Sequence, residues 1–173
     1  SLDELVAQDK AGEALLLACQ KARNASANQG HILVVKNNTD YHGRSYGTHE
    51  NYLVSRSIPF SDLVAAIVPF LVARQVIVGA GKVGSEGPSS RPVEFQISQR
   101  ADFFEKVVGI NTTARRPIFN TRDEPHADNL KHRRLHVIAG DANRSEYATA
   151  LKAGMTGLVL DAVEEGEKFH LTL

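Results

Sequence analysis

One short segment places several ligand-type side chains at alternate positions. Residues 45–52 (SYGTHENY) have a pattern typical of a β-strand, in which alternate side chains point to the same face. One face therefore carries the small or polar residues Ser45, Gly47, His49 and Asn51. A hydroxyl, an imidazole and an amide together do not suit an apolar core. This face predicts either a ligand site at His49 or a histidine held by structural hydrogen bonds, and Glu50 lies on the opposite face.

A second histidine lies in residues 134–138 (RLHVI), which also have the pattern of a strand. Alternation places Arg134 and His136 on one face, opposite the apolar side chains. Burying an arginine is costly unless it meets an anion or a carboxylate. The pair therefore predicts either a polyphosphate with its metal or an internal ion pair with an acidic residue.

Residues 115–128 (RRPIFNTRDEPHAD) combine three arginines, three acidic residues and a histidine in one segment. Guanidinium groups bind phosphates and carboxylates through paired hydrogen bonds, so the segment predicts an anion-binding loop, with a solvated charged surface as the alternative. A zinc site would use Asp123, Glu124, His126 and Asp128. No second cluster has metal-ligand spacing, so we do not predict zinc.

The glycine-rich run at residues 79–84 (GAGKVG) matches the dinucleotide-binding pattern GxGxxG. In that fold the motif opens a helix whose N-terminus receives the pyrophosphate. Residues 85–92 (SEGPSSRP) are too rich in glycine, serine and proline to be helical. We therefore predict a flexible loop over residues 79–92, which could cover a ligand, rather than a dinucleotide fold.

The composition of the 173-residue chain, 42% hydrophobic and 23% charged, is that of one globular domain. Acidic and basic residues balance at 20 each, so no overall field attracts nucleic acid or an anionic membrane. The single cysteine, Cys19, lies in an apolar helical pattern and is predicted to be a core residue rather than a nucleophile. We find no signal-peptide pattern and no apolar stretch of the roughly 18–20 residues that span a bilayer. We expect a cytoplasmic protein with no nucleic-acid or membrane partner.

Hydrophobic periodicity predicts an α+β fold with an antiparallel sheet. Helical patterns cover residues 2–23 (one helix, or two with a break near Gly12), 61–77 and 145–163, and strand patterns cover 32–35, 45–54, 117–120 and 134–138. The β-branched run 32–35 is predicted to be a buried strand that pairs with 45–54 in a hairpin.

Longer blocks in a fixed order resemble the family of the ligase and the deamidase of Pup, the prokaryotic ubiquitin-like protein. They run through nearly the whole chain and are more specific than any single short motif. The blocks are DKAGE at 9–13, KNNTD at 36–40, SYGTHENY at 45–52, PFLVARQ at 69–75, GAGKV at 79–83, QISQR at 96–100, NTRDEPHAD at 120–128, RRLHV at 133–137 and GDAN at 140–143.

The resemblance implies a glutamine-synthetase-like fold of the carboxylate–amine ligase superfamily. In that fold a curved antiparallel sheet, with helices on one side, holds ATP and Mg²⁺, and residues 1–173 would form one partial domain. His49 and His136 are implied as metal ligands, although Mg²⁺ ordinarily prefers oxygen. Contacts to the nucleotide or to a substrate carboxylate are implied for Asn38, Arg100, Arg122 and Arg134.

Two reactions are known in the family that this sequence resembles. The ligase phosphorylates the C-terminal glutamate of Pup, which a lysine then attacks. The deamidase, or depupylase, keeps ATP as a cofactor and cleaves the C-terminal glutamine amide of Pup or the isopeptide bond of a pupylated protein. Residues 46–53 (YGTHENYL), 100–105 (RADFFE) and 108–113 (VGINTT) favour the depupylase. We predict a depupylase of the proteasome pathway, with a Pup ligase, a non-catalytic binding module and a ligase for a small amino acid as alternatives.

One departure from the family concerns the catalytic acids. Family members carry a Glu-x-Glu strand for the metals and a catalytic-aspartate loop before the block that matches residues 9–13, and this sequence has no counterpart of either. We therefore assign no catalytic residue to this chain and do not expect it to be active by itself. The missing part would come from the same polypeptide or from a second chain.

Overall fold

The computed structural model describes residues 1–26, 30–86, 91–110 and 116–168, with the backbone alone for 167–168. The helices are α1 (Leu2–Ala25), α2 (Phe60–Ala73), α3 (Gln75–Val78) and α4 (Glu146–Lys168), with one 3₁₀ turn at Ala101–Phe103. The strands are β1 (Thr48–Ser55), β2 (Lys82–Val83), β3 (Phe95–Gln96), β4 (Phe104–Gly109), β5 (Arg116–Asn120) and β6 (His132–Gly140).

The main sheet has the order β1-β6-β5-β4. The pairs β1–β6 and β5–β6 are antiparallel, as the sequence predicts, whereas β4 and β5 are parallel. Strands β2 and β3 form a separate two-stranded ribbon. The resulting mixture of helices and sheet is the α+β class predicted from the hydrophobic periodicity.

The hydrophobic core lies between one face of the main sheet and two helices. It is formed by apolar side chains of β1, β5, β6, α2 and α4, namely Val54, Phe119, Leu135, Val137, Leu63, Ile67, Leu71, Leu160 and Val163. Helices therefore cover one side of the sheet, as expected. The opposite face is left to the polar side chains that alternate with these residues on β1 and β6.

Helices α2 and α3 form one run, Phe60–Val78, which matches the predicted helix at 61–77 within one residue at each end. Its 19 residues have a mean hydropathy of 1.8 and are long and apolar enough to cross a membrane, by length and composition only. The statement that no apolar stretch reaches that length was therefore wrong. Leu63, Ile67 and Leu71, spaced four residues apart, are fully buried, which is the stripe of a helix packed on a core.

The predicted buried strand at residues 32–35 is wrong. The run is extended but pairs with no strand, and its side chains are exposed, with Leu33 at 78%. Its predicted hairpin partner, β1, pairs with β6 instead. The intervening chain is closed only by an isolated bridge between Thr39 and Ser45. The physical reason is that a β-branched run becomes a strand only when another backbone pairs with it.

Helix α1 is continuous through Gly12, so of the two alternatives the single helix is correct. It begins at a capping box, in which the Ser1 Oγ accepts a hydrogen bond from the Glu4 N–H at 3.2 Å. No residue of α1 is buried, and Cys19 is exposed. The prediction that Cys19 is a core residue was therefore wrong, because α1 packs mainly on α4 and lies outside the core cluster.

The glycine-rich run at residues 79–84 leads into the β2–β3 ribbon and not into a helix, which confirms that it is not a dinucleotide fingerprint. The ribbon is anchored by Lys82, whose Nζ donates to both carboxylate oxygens of Asp102 at 3.1 Å. Part of the predicted flexible loop, residues 87–90, lies outside the described residues. Helix α4 runs on to Lys168, past the predicted end at Val163.

Candidate functional site

Strands β1 and β6 bring His49 and His136 into direct contact. In the register of the two strands, Asn51 lies opposite His136. His49, two residues before Asn51, is therefore the diagonal neighbour of His136 on the same face of the sheet. The His49 Nδ1 and the His136 Nε2 are 3.1 Å apart, within hydrogen-bond distance. Alternation along both strands therefore gave the correct face for each histidine, and Glu50 lies on the other face, buried.

Arg134 lies on the same polar face. Its Nε donates to the Asn51 Oδ1 at 2.7 Å, which links the arginine to the strand that carries His49. The nearest carboxylate, that of Glu124, is 4.0 Å from the Arg134 Nη1, and its own side chain is 75% exposed. An ion pair of this length and exposure neutralises little charge. The guanidinium therefore remains available to an anion.

Burial, together with nearby arginines, lowers the pKa of both histidines. Burial, followed by the charge of Arg134, lowers the pKa of His136 to about 4, and His49 and Arg122 act in the same direction. Partial burial of its ring, and then the charges of Arg100, Arg134 and Arg116, lower the pKa of His49 as well. A cluster of guanidinium groups around uncharged imidazoles is an environment that attracts an anion.

Two buried polar atoms near this face, the His136 Nδ1 and the Arg116 Nη1, have no hydrogen-bond partner within the described part of the chain. Buried polar groups in native proteins are nearly always satisfied, so such atoms indicate a water or ligand that binds there. The Arg116 Nη1 is a donor only, so the ligand that matches it is an acceptor such as a phosphate or carboxylate oxygen.

The other predicted nucleotide contacts lie in different settings. Arg100 is 2% exposed, and its guanidinium donates to the Ser45 Oγ and to the backbone carbonyls of Ile138 and Gly140. The Asn38 amide is occupied by both backbone groups of Ala142. Arg122 is exposed on the loop after β5. Arg122 and Arg134 are thus presented to solvent near the histidines, whereas Arg100 and Asn38 bind backbone, and the assignment of all four to a nucleotide stays a prediction.

Two adjoining cavities run along the outer edge of β1. The larger, of 670 Å³, lies between the 35–37 and 46–49 segments, with Asp9 and Ala142 also in its lining. The smaller, of 370 Å³, extends from His49 along β1 to Lys152 on α4. His49 lines both cavities. His49 therefore lies where the two cavities meet, and the space beside it is large enough for a polyphosphate.

Sequence reasoning missed the buried charge pair beneath the site. The Arg74 guanidinium makes a bidentate contact with the Glu50 carboxylate, at 2.8 and 2.5 Å, and also donates to the Thr156 Oγ1 at 2.6 Å. The Tyr52 hydroxyl donates to the same carboxylate at 2.6 Å. These bonds fix β1, and with it His49, against α2 and α4. An arginine inside the apolar run 60–78 was a signal that could have indicated a buried partner.

The family resemblance implies a nucleotide and a magnesium ion, and the residues around the histidines suit the nucleotide phosphates better than the metal. Phosphate oxygens match the arginines, including the buried Arg116 Nη1. A magnesium ion does not fit these residues by themselves, because it prefers oxygen ligands and no group of three or more histidine, cysteine or acidic side chains occurs among the described residues. The site is therefore described below as an anion site.

Comparison with known proteins gives consistent results. The chain matches the protein family described as Pup-ligase protein over residues 1–172. It is 57% identical over 164 residues to a depupylase of Acidothermus cellulolyticus, covering 94% of this chain and 32% of that protein. It is 52% identical over 167 residues to a Pup–protein ligase of Nocardioides sp., covering 94% of this chain and 36% of that protein.

A solved structure has the same fold. The Pup ligase PafA in complex with ADP superposes with a TM-score of 0.79 at 43% sequence identity, covering 95% of this chain and 37% of that chain. The chain thus spans about a third of the length of the curated relatives it matches. The similarity over that third extends through both strands that carry the histidine pair.

Proposed function

The chain belongs to the Pup-ligase protein family, and from that premise we propose that it forms the nucleotide-phosphate-binding part of an enzyme that removes Pup from proteins or deamidates it. The observation that carries the proposal is the polar face of β1 and β6. It holds two histidines in contact, an arginine whose ion pair in the described structure is a 4.0 Å contact with the exposed Glu124, and two buried polar atoms without a partner among the described residues. The ADP bound in the related PafA structure supports a nucleotide as the anion.

In the proposed site the residues of this chain bind and orient phosphate groups. Arg134 is fixed by Asn51 and directs its remaining donors along the open face, while Arg122 and Arg116 add positive charge around the histidines. Phosphoryl and acyl chemistry on a nucleotide relies largely on positioned positive charge of this kind. ATP would supply the phosphate groups that these arginines bind, and the acidic residues that act on Pup would lie outside residues 1–173.

The depupylase branch is the finer part of the proposal. Its support is the wording of residues 46–53 and 100–105 together with the 57% identity to a depupylase, against 52% to a ligase. A Pup ligase is the first alternative. A non-catalytic binding module is the second, and the absence of a carboxylate from the contacts made by the two histidines in the described structure favours it.

Reciprocal chimeras test the branch. Residues 1–173 replace the matched region in the Acidothermus cellulolyticus depupylase and, separately, in the Nocardioides ligase. We expect the first chimera to release Pup from a pupylated protein at a rate within about tenfold of its host, and the second to form little conjugate. The reverse result would assign the chain to the ligase branch. Two inactive chimeras that still bind ADP would identify a binding module.

A further inference from the structure

The pairing of β1 with β6 is irregular at His49. Thr48 pairs with Gly140 and Glu50 pairs with Val137. His49, the single residue between Thr48 and Glu50, therefore lies opposite two residues of β6, Ile138 and Ala139. This arrangement is a β-bulge on β6. A bulge bends its strand, increases the local twist and changes the direction of nearby side chains. The direction of the His49 ring therefore depends on the conformation of the bulge.

Arg100 binds two backbone carbonyls of this region, that of Ile138 in the bulge and that of Gly140 directly after it. Its Nη1 donates to the Ile138 and Gly140 oxygens, each at 2.6 Å, and its Nε donates to the Ser45 Oγ at 3.0 Å. A guanidinium group can serve carbonyls in this way because its donors lie in a rigid plane. Burial lowers the pKa of Arg100 to about 10, so the group is still charged at neutral pH. These hydrogen bonds stabilise the conformation of the bulge.

The guanidinium also fills the space beside Gly47, two residues before His49. A Cβ on Gly47 would lie 2.2 Å from the Arg100 Nη1, and the φ of Gly47 is +122°. Only glycine allows both this backbone conformation and so close an approach. Arg100 thus binds the backbone of β6 and lies close against Gly47, just before β1 begins.

The backbone of Arg100 is itself fixed to the end of β6. The Ser98 Oγ accepts a hydrogen bond from the Arg100 N–H at 3.2 Å and donates to the Asp141 Oδ1 at 3.0 Å. The Asp141 Oδ2 accepts the Gln99 N–H at 2.9 Å. Asp141 is fully buried and directly follows the strand. The arginine is therefore attached to the same strand whose bulge it holds.

We propose that Arg100 is a positioning residue whose hydrogen bonds stabilise the β6 bulge. The bulge in turn orients the His49 ring toward His136. Arg100 therefore affects the anion site through His49 rather than by contact with a phosphate. The consequence for nucleotide binding rests on the proposed function. The geometric part does not, because the histidine contact exists without a nucleotide.

The test uses NMR of the whole 173-residue chain at one fixed pH. Signals of the two imidazoles and the nuclear Overhauser contact between them are recorded in the parent, Arg100→Lys, Ser45→Ala and Gly47→Ala. A lysine keeps the charge but cannot serve two carbonyls and a hydroxyl at once. Gly43→Ala is the matched control, since Gly43 also has a positive φ, +82°, but its Cβ would meet nothing within 4 Å. We expect Arg100→Lys and Gly47→Ala to abolish the His49–His136 contact, Ser45→Ala to weaken it, and Gly43→Ala to retain it.

Unchanged imidazole signals in folded Arg100→Lys would overturn the proposal. If that variant does not fold, Ser45→Ala and Gly47→Ala decide in the same way. ADP binding provides a second arm: Arg100→Lys and Gly47→Ala should lower ADP affinity together, by about tenfold. A loss of ADP affinity in Arg100→Lys with the histidine contact intact would show direct phosphate contact, and would also overturn the proposal. Failure of the parent chain to bind ADP would count against the proposed function alone.

Discussion

His49 and His136 are in contact where protonation is disfavoured, because both rings are partly buried and arginines lie nearby. Burial and the charge of Arg134 lower the pKa of His136 to about 4 in the folded chain, whereas an unfolded histidine titrates at 6.5. Between these two values the unfolded state binds more protons than the folded state. The free energy of unfolding is therefore fully retained above pH 6.5 and decreases as the pH falls toward 4.

We expect His136→Asn to flatten this dependence. Urea unfolding of the parent between pH 6.5 and 4 should show a loss attributable to His136 of at most about 3 kcal/mol, and the variant should lack that part. The exposed His31, changed to Asn, is the control and should leave the slope of the parent unchanged. Parallel pH profiles for the parent and His136→Asn would show that the ring is not held neutral by its surroundings.

At the residue scale, the sequence predicted which face of a strand each side chain occupies, but not the groups with which that side chain forms hydrogen bonds. Period-two alternation placed Arg134, His136 and His49 on one surface because a strand fixes the direction of each side chain. The partners of Arg100 and Asn38 are backbone groups of β6 and of Ala142. Such contacts depend on how distant segments pack, and no local pattern of residue types encodes them.

At the scale of elements, β1 is held to two helices by the charge pair of Arg74 and Glu50. Both side chains are almost fully buried, at 0 and 8% exposure. We expect Arg74→Met to cost about 3–5 kcal/mol in urea unfolding, because it leaves the carboxylate buried without its counter-charge. Adding Glu50→Gln to Arg74→Met should restore much of that loss, since the neutral amide can still accept from Tyr52.

An exposed pair supplies the matched control for this prediction. Lys36 contacts Asp9 and Glu13 with about a third of each side chain exposed. Lys36→Met should therefore cost about 1 kcal/mol or less. If Arg74→Met were equally mild, or if the double variant were less stable than Arg74→Met, the pair would not be the link that holds β1.

Helices and strands were predicted correctly where the residue pattern of the segment itself favours that structure. Strands β5 and β6 and helix α4 follow from β-branched or helical periodicity and were located within a few residues. The run 32–35 has the same β-forming composition, yet in the described structure it pairs with no strand. Strand pairing is a property of two segments, so a pattern in one segment could not settle it.

On the scale of the whole molecule, the end of the 32–35 run at Val35 and the start of β1 both line the 670 Å³ cavity. On one side, the Asn24 side chain bonds both backbone groups of Ile32, and the Gln20 Oε1 accepts the Val34 N–H. In an extended chain, the amides of Leu33 and Val35 then point the other way. On the other side, β1 is the outermost strand of the main sheet.

Hydrogen exchange tests this arrangement. We expect the amides of Leu33 and Val35 to exchange faster than those of Ile32 and Val34, because among the described residues only the latter two amides have acceptors. Amide exchange measured by NMR on the 173-residue chain gives the four rates directly. Equal protection of all four would mean that the open edge is covered in solution.

The central claim is that the polar face of β1 and β6 binds the phosphates of a nucleotide, and calorimetric titration of the 173-residue chain with ADP tests it most directly. We expect measurable binding that His49→Ala, His136→Ala and Arg134→Ala each weaken by about tenfold or more, since each change removes a group that faces the anion. Lys21→Ala, which removes an exposed charge on α1, should bind ADP as the parent does. Equal ADP affinity in the parent and all three site variants would contradict the account.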